Sequence, residues 1–209
     1  MPERISAAAP LIPPGTCLVD VGCGDGTLAR LLGGGVRAIG VDFVEAPLRV
    51  ARTYGVPAVR ADLNHASLPF RDGAADIVTA LDVIEHVIDP IAFVRALHRI
   101  LKPGGLAIVT TPNARFVLHV ADLVLRGRSP RTSYDPEGYD GGHLHYFTVR
   151  DLRALLEANG FAIERETGIA RRDYRSLKVR VFARLAALWE RDVAREFLSL
   201  GILAVARKT

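Results

Sequence analysis

Cysteine, methionine and tryptophan are scarce in this chain of 209 residues, which contains two, one and one of them. Cys17 and Cys23 are too few for a disulfide framework or a cysteine-rich metal site, so we expect a reducing, cytoplasmic location. Long apolar runs are also missing. None approaches the roughly 20 residues that span a bilayer, so no membrane-spanning segment is expected. Residues 1–15 contain no sustained apolar stretch, which argues against a signal peptide.

Charge of one sign is not in large excess, because 27 basic residues face 23 acidic ones and the formal net charge is +4. The arginines of the carboxyl-terminal half are interleaved with acidic residues, and no nucleic-acid-binding module is recognisable. We therefore expect no nucleic-acid partner. With 49% hydrophobic and 24% charged residues, the chain can bury a proper core, and its length suggests one domain over 1–209.

Segments typical of strands and of helices alternate along the chain. Strands are predicted at 16–21, 37–43, 57–62, 75–82, 105–112, 161–168 and 202–208, and helices at 25–35, 45–55, 90–105 and 148–160. The last of these helices should begin at Thr148 as N-cap, with Asp151 completing a capping box. Such alternation implies right-handed βαβ units and therefore an α/β, doubly wound sheet.

A glycine-rich turn joins the first predicted strand to the first helix, in the segment LVDVGCGDGTLAR. Glycine permits positive φ and close approach of a ligand, and the start of the following helix offers free N–H groups. The turn is therefore a candidate ligand site. A dinucleotide fingerprint needs its third glycine one position later, where Thr27 stands. Asp42, at the end of the second strand, could accept hydrogen bonds from two ribose hydroxyls, which suits both dinucleotide and adenosyl cofactors.

Four motifs occur in a characteristic order: DVGCGDG, then Val41–Asp42, then ADLNHASLPF, then LKPGG. Together they resemble the class I S-adenosylmethionine-dependent methyltransferases, most closely the small-molecule type 11/23 group. The resemblance covers residues 16–168, and 202–208 resembles the last strand of that family. It implies a Rossmann-like, doubly wound seven-stranded sheet whose last strand is antiparallel and lies between the fifth and the sixth.

The resemblance also implies S-adenosyl-L-methionine as the cofactor. It assigns these binding residues: Asp20, Gly22, Gly24, Gly26, Asp42, Phe43, Asp62, Leu63, Leu81 and Asp82. The acid and the three glycines of the turn would line the methionine part of the cofactor. Asp42 would hold the ribose hydroxyls, and Phe43 would stack on the adenine. The Asp–Leu pair after the third strand would contact the adenine, and the Leu–Asp pair after the fourth would lie under the sulfonium. Helix capping or turn formation is the alternative role for Asp62 and Asp82.

Two histidines are candidate general bases for an acceptor that must lose a proton. His86 follows the fourth strand, beside the expected methyl group, and His143 lies in a segment that resembles an HLxxFT stretch of small-molecule methyltransferases. The alternative is that His86 caps a turn and His143 fixes the loop. His143 and His145 form an H-x-H pair, but no third ligand is evident in the sequence, so no metal site is predicted.

The acceptor side is expected in the segments with the weakest resemblance. Residues 113–147 are predicted to form a lid over the acceptor, with an aromatic wall made of Phe116, Tyr134, Tyr139 and Tyr146. A late helical segment within 169–201 carries a basic edge. It would pack on the domain, and a homodimer contact, an anionic acceptor and a membrane surface are its other candidate roles.

The residues and the resemblance together predict a methyltransferase that acts on a small-molecule acceptor, with oxygen favoured as the atom methylated. Two alternatives stay open. The segment after the fifth strand also resembles the MetW type of methionine-biosynthesis protein, which would make the chain a cofactor-binding partner of an acyltransferase. A nicotinamide dehydrogenase is the third reading, and the early position of Gly26 argues against it.

Overall fold

Seven strands form one mixed sheet in the computed structural model, which describes residues 2–64, 68–127, 142–169 and 196–209. The strands are β1 (Cys17–Val21), β2 (Arg37–Asp42), β3 (Ala58–Arg60), β4 (Ala75–Leu81), β5 (Leu101–Pro112), β6 (Phe161–Ile169) and β7 (Gly201–Lys208). The helices are α1 (Glu3–Ala8), α2 (Thr27–Leu32), α3 (Glu45–Thr53), α4 (Pro90–Ile100), α5 (Val117–Arg126) and α6 (Val149–Glu157).

The strand order is β3-β2-β1-β4-β5-β7-β6. Strands β1 to β5 pair in parallel, whereas β7 is antiparallel to both β5 and β6. The order reverses direction between β1 and β4, and ligands bind beyond the carboxyl ends of the strands at such a point. The predicted doubly wound sheet with an antiparallel strand inserted before the edge is confirmed.

Local sequence signals explain where two of the helices begin. At α4, the Asp89 side chain accepts hydrogen bonds from the N–H groups of Ile91 and Ala92, at 2.9 and 3.0 Å. At α6, the Thr148 and Asp151 side chains cap each other's N–H groups in the predicted capping box. Each cap satisfies N–H groups that a helix start leaves without partners.

Helix α4 is shorter than predicted, because it ends at Ile100 and not at residue 105. Leu101 pairs with Ala75, so the chain passes straight into β5. Pro103 cannot continue a helix, and Gly104 has a φ of +72°. The turn after α4 therefore belongs to the start of β5, where the register with β4 shifts.

Helix α1 was not predicted. Its Ile5 and Ala8 are buried, in one cluster with Leu18, Leu81 and further apolar side chains of β5 and β7. The helix has six residues between Pro2 and Pro10, which is too short for a periodic pattern to reveal. Its burial brings the amino-terminal segment against the carboxyl ends of the central strands.

The core lies on both faces of β4 and β5, whose central residues are almost all buried. This matches the apolar character of strands covered on two sides. Among the described residues, no helix is both long and apolar enough to cross a membrane.

The predicted lid, 113–147, contains α5 and the segment 142–147. Phe116 is buried at the start of α5, and Tyr146 is about half exposed. Tyr134, Tyr139 and most of the predicted late helix lie outside the described residues.

Candidate active site

The glycine turn after β1 is fixed by close contacts that only glycine allows. Gly22 has a φ of +74°, and a Cβ atom there would lie 2.3 Å from Cγ2 of Val83. Gly24 has a φ of +54°, and its N–H donates to Oδ2 of Asp42 at 2.9 Å. The turn is therefore joined to the end of β2 and leaves its own backbone open to a ligand.

Asp42 lies where β2 ends, as predicted. Its Oδ1 accepts a hydrogen bond from the N–H of Val44 at 2.9 Å, so both carboxylate oxygens are held by backbone donors. Each oxygen keeps a second lone pair for a ligand hydroxyl. Phe43 follows with 52% of its surface exposed, and the Arg60 guanidinium lies 5.6 Å from its ring centre. An exposed ring at this position is available for stacking.

Asp20 is buried beneath the turn, with 3% of its surface exposed. The Thr79 hydroxyl donates to its Oδ1 at 2.7 Å. Burial raises the pKa of the Asp20 carboxyl to about 7, and the nearby Asp42 raises it further, against the lowering effect of the Thr79 hydrogen bond. The group is poised to ionise when a cationic ligand group arrives.

A cavity opens between the turn and helix α1, and we call it the turn cavity. Its lining comes from Pro2, Arg4, Ile5, Asp20, Gly22, Cys23, Gly24, Asp25, Thr27, Leu28 and Leu81. The structure thus gathers four of the predicted cofactor residues, Asp20, Gly22, Gly24 and Leu81. Gly26 has a φ of +74° at the start of α2, packed against Ala51 and Val56.

Asp82, just after β4, has a φ of +57°, which is rare for a residue with a side chain. Thr110 holds it there, because its hydroxyl donates to Oδ1 at 2.7 Å and accepts from the Asp82 N–H at 3.0 Å. Arg4 pairs with the other carboxylate oxygen at 3.2 Å. Arg4 is a site residue that sequence reasoning missed, since a single arginine in a short helix forms no motif.

A second cavity, which we call the strand-end cavity, lies beyond β4 and β5. It is lined by Glu3, Arg4, Asp82, Pro112, His119, Ile169, Leu200 and Gly201. Arg4 borders both cavities, so they share a wall. A donor in one and an acceptor in the other would meet near Asp82.

Asp62 and Leu63 lie after β3 and do not line the turn cavity. The Asp62 Oδ1 atom accepts from the backbone and side-chain N–H groups of Asn64, at 2.9 and 3.1 Å. This is the turn-forming role given above as the alternative for Asp62. Leu63 is partly buried against the main core. The main chain still links this segment to the ribose residue, because the Ala61 N–H donates to the Asp42 carbonyl at 3.0 Å.

Both candidate histidines lie together at the end of β4. The ring centres of His86 and His143 are 4.8 Å apart, edge to face. Glu85 joins them, and one possible ligand atom from each of these three residues lies within 4.8 Å of the others. Sequence reasoning missed Glu85, because a single acidic residue beside a histidine in a turn forms no motif.

Glu85 is buried, with its side chain 1% exposed. Burial raises the pKa of its carboxyl to about 8, and Asp82 adds to the increase. Its backbone carbonyl accepts from the N–H groups of Leu144 and His145, at 2.8 and 3.1 Å. These two bonds pin the His143 segment onto the turn after β4.

Comparison with known proteins identifies the family. A family model described as "Methyltransferase domain" matches residues 1–166. The chain belongs to this methyltransferase family. S-adenosyl-L-methionine is the methyl donor of the family, as predicted.

Two relatives illustrate the similarity of the methyltransferase in sequence. The ubiquinone biosynthesis O-methyltransferase of Pseudomonas paraeruginosa is 37% identical over 135 residues, which are 58% of this chain and 56% of the relative. The protein of the same name from Methylobacterium sp. is 33% identical over 165 residues, 74% of this chain and 63% of the relative. The chain spans about half to two thirds of the length of these relatives.

A solved structure shares the fold of the methyltransferase. An S-adenosylmethionine-dependent methyltransferase from Mesorhizobium loti superposes with a TM-score of 0.70, at 22% identity. The superposition covers 99% of this chain and 98% of that one. At this identity the likeness concerns the fold, which agrees with the strand order described above.

Proposed function

We propose that this methyltransferase transfers the methyl group of S-adenosyl-L-methionine to a hydroxyl oxygen of a small-molecule acceptor. The observation that carries the proposal is the joint placement of the open glycine turn, Asp20 and Asp42 at one edge of the sheet. An acid under the turn suits an ammonium group, and an acid at the end of β2 suits a ribose diol. The donor's two recognisable ends would thus be held at one site.

The donor supplies the chemical reactivity, since its methyl group is bound to a sulfonium. The protein has to align the acceptor with that methyl group and exclude water. The strand-end cavity is the place for the acceptor, because Arg4 lines both cavities and pairs with Asp82 in the strand-end cavity. The sulfonium would then lie near Arg4, between the two cavities. This agrees with the prediction that Leu81 and Asp82 lie under the sulfonium.

Oxygen is favoured as the acceptor atom because both relatives described above carry O-methyltransferase in their names. The same names favour a methyltransferase over the MetW-like partner of an acyltransferase. A phenol or an alcohol is the acceptor class to be tested. A cytoplasmic site of action, a homodimer and the lack of a nucleic-acid partner remain predictions.

The first test is calorimetric titration with S-adenosylhomocysteine. We expect Asp42→Ala to weaken binding by at least about 10-fold, because hydrogen bonds to a charged acceptor contribute about 1.5–3 kcal/mol each. Asp72→Ala is the matched control, since Asp72 is 80% exposed and outside both cavities. Unchanged affinity in Asp42→Ala, or equal losses in both variants, would refute the assignment of Asp42.

The acceptor is then sought by incubating the protein with labelled S-adenosyl-L-methionine and a panel of phenols, alcohols and amines. Label in hydroxyl compounds supports O-methylation. Label confined to amines would move the activity to nitrogen while leaving the donor site in place.

A further inference from the structure

The strand-end cavity contains an imidazole that the sequence did not single out. His119 lies in the first turn of α5, and its half-buried side chain lines this cavity together with Arg4 and Asp82. Among the histidines that the structure describes, only His119 borders the strand-end cavity. We propose that His119 is the general base that accepts the proton of the acceptor hydroxyl. This inference rests on the proposed O-methylation and names the base for that reaction.

The two histidines predicted as bases from the sequence do not line this cavity. Nδ1 of His86 lies 3.3 Å from the carbonyl oxygen of Gly142, and its Nε2 lies 4.0 Å from Oε1 of the buried Glu85. Both ring nitrogens of His86 are thus directed at groups outside the strand-end cavity. His143 lines a smaller cavity, which shares His119 with the strand-end cavity. His119 is therefore the described imidazole that an acceptor in the strand-end cavity would contact.

The start of α5 is held in place, which fixes the position of His119. Asn113, which is 1% exposed, donates from its side chain to the carbonyl of Ser199 at 2.9 Å and accepts from the Arg115 N–H at 3.0 Å. Phe116 is also buried, and its ring meets the His119 ring edge to face, with the ring centres 5.1 Å apart. A general base must be held within hydrogen-bond reach of the proton that it takes. These contacts give the imidazole a defined place at the cavity wall.

Other charged and titratable groups border the same two cavities as His119. They are Glu3, Arg4, Asp82, His143, His145 and Tyr146. Both carboxylate oxygens of Asp82 are engaged, one by the Thr110 hydroxyl at 2.7 Å and the other by Arg4 at 3.2 Å. Glu3 is exposed to solvent. An imidazole changes its charge between about pH 5 and 8, so its neutral form is abundant at neutral pH and can accept a proton there.

The proton transfer accompanies the formation of the new carbon–oxygen bond. The hydroxyl proton moves to the unprotonated ring nitrogen of His119 while the hydroxyl oxygen bonds to the methyl carbon. The bond from that carbon to sulfur breaks, and its electron pair stays on the sulfur, which leaves S-adenosylhomocysteine. The imidazolium of His119 then releases its proton to solvent, so the base is regenerated for the next turnover.

The first test uses 4-nitrophenol as the probe, because its phenolate is coloured and no methyl transfer is needed. The probe is titrated with the full chain in the presence of saturating S-adenosylhomocysteine. At pH 6 we expect at least about 3-fold more phenolate for the bound probe than for the free probe, because an imidazolium beside it favours the charged form. His119→Gln should remove most of this excess. Asp122→Asn is the matched control, because Asp122 lies one turn further along α5, pairs with Arg126 and lines neither cavity.

The second test measures single-turnover methyl transfer to the hydroxyl compounds that the labelled panel identifies. At pH 7 we expect His119→Gln to slow the transfer by at least about 100-fold, which is the usual contribution of a positioned general base. The loss should shrink as the pH approaches the pKa of the acceptor hydroxyl, because an ionised acceptor needs no base. A purely structural role for His119 would lower the rate by the same factor at every pH.

Each variant is also titrated with S-adenosylhomocysteine, which verifies folding and separates the two proposals. Lost phenolate excess and a pH-dependent loss of rate, with retained S-adenosylhomocysteine affinity, support His119 as the base. The assignment is overturned if the wild-type chain does not bind 4-nitrophenol, if His119→Gln keeps the phenolate excess, or if Asp122→Asn loses as much. If the wild type labels no hydroxyl compound, the proposed O-methylation fails, whereas the probe titration alone still supports or refutes proton transfer to His119.

Discussion

At the scale of single residues, Asp20 couples the donor site to pH. Its pKa is about 7 in the folded chain, whereas an aspartate in an unfolded chain has a pKa of about 3.9. The folded state therefore holds a proton that the unfolded state releases between these values. The bound proton therefore stabilises the folded state. This contribution to the free energy of unfolding is complete below about pH 4 and is lost as the pH rises through 7.

The first prediction follows for Asp20→Asn, which keeps an acceptor for Thr79 and removes the titration. Between pH 5 and pH 7 we expect the free energy of unfolding of the wild-type chain to fall by about 2 kcal/mol more than that of the variant. Urea unfolding at a series of pH values measures the difference. Parallel pH profiles for the two proteins would show that Asp20 does not titrate in this range.

Local signals made several of these residues predictable. The glycines of the turn and Asp42 stand in two short motifs, because a turn and a strand end are each built from consecutive residues. No sequence motif predicts that Glu85, His86 and His143 lie together, although the two histidines were candidates by their positions. His86 meets the carbonyl of Gly142, which lies 56 positions further along the chain. Only the fold brings such groups together.

At the scale of secondary-structure elements, α1 has a function beyond covering the core. Its buried Ile5 and Ala8 anchor the helix, and Arg4 on the same helix reaches Asp82 at the border of the two cavities. The Arg4 side chain is 41% exposed, so its pairing with Asp82 contributes little stability. It is therefore available to a carboxylate of the donor.

The second prediction concerns Arg4→Gln. We expect S-adenosylhomocysteine to bind about 5- to 30-fold more weakly, with the free energy of unfolding changed by less than about 1 kcal/mol. Arg49→Gln is the control, because Arg49 is 77% exposed on α3. Calorimetry gives the affinities and urea unfolding gives the stabilities. A loss of stability as large as the loss of binding energy would make Arg4 a structural residue only.

Elements were predictable where their ends carry local chemistry. The Thr148 and Asp151 side chains announce the start of α6, and the structure contains that capping box. Helix α1 has no side-chain cap, and the end of α4 depends on the pairing of Leu101 with Ala75. Helix α1 is held by burial and the end of α4 is set by strand pairing, and neither depends on a local sequence signal.

At the scale of the whole molecule, the order of strands places both cavities at one edge of the sheet. Strands β1 and β4 are neighbours although β2 and β3 separate them in the chain. The glycine turn after β1 and Asp82 after β4 are therefore adjacent, and β5 adds Thr110 and Pro112. The resemblance predicted this arrangement, because the strand order is a property of the family and not of any one segment.

Ligand binding at that edge should stabilise the molecule as a unit, since the turn, α1 and the ends of five strands all border the two cavities. A ligand that binds only the folded state adds RT ln(1 + [L]/Kd) to the free energy of unfolding. At a ligand concentration of 100 times Kd this is about 2.7 kcal/mol. For a chain of this length, 1 kcal/mol raises the melting temperature by about 2–4 °C.

The third prediction is that S-adenosylhomocysteine at 100 times Kd raises the melting temperature by about 5–10 °C, as measured by calorimetric scanning. The shift should grow with the logarithm of the ligand concentration and shrink in Asp42→Ala at equal concentration. NADH separates the adenosyl site from a dinucleotide site. It shares the ribose diol but lacks the methionine part that Asp20 and the turn would hold, so we expect a much smaller shift. A larger shift with NADH would mean that the turn holds a pyrophosphate. The assignment of S-adenosyl-L-methionine as the donor would then be wrong, and the early position of Gly26 would not exclude a dinucleotide.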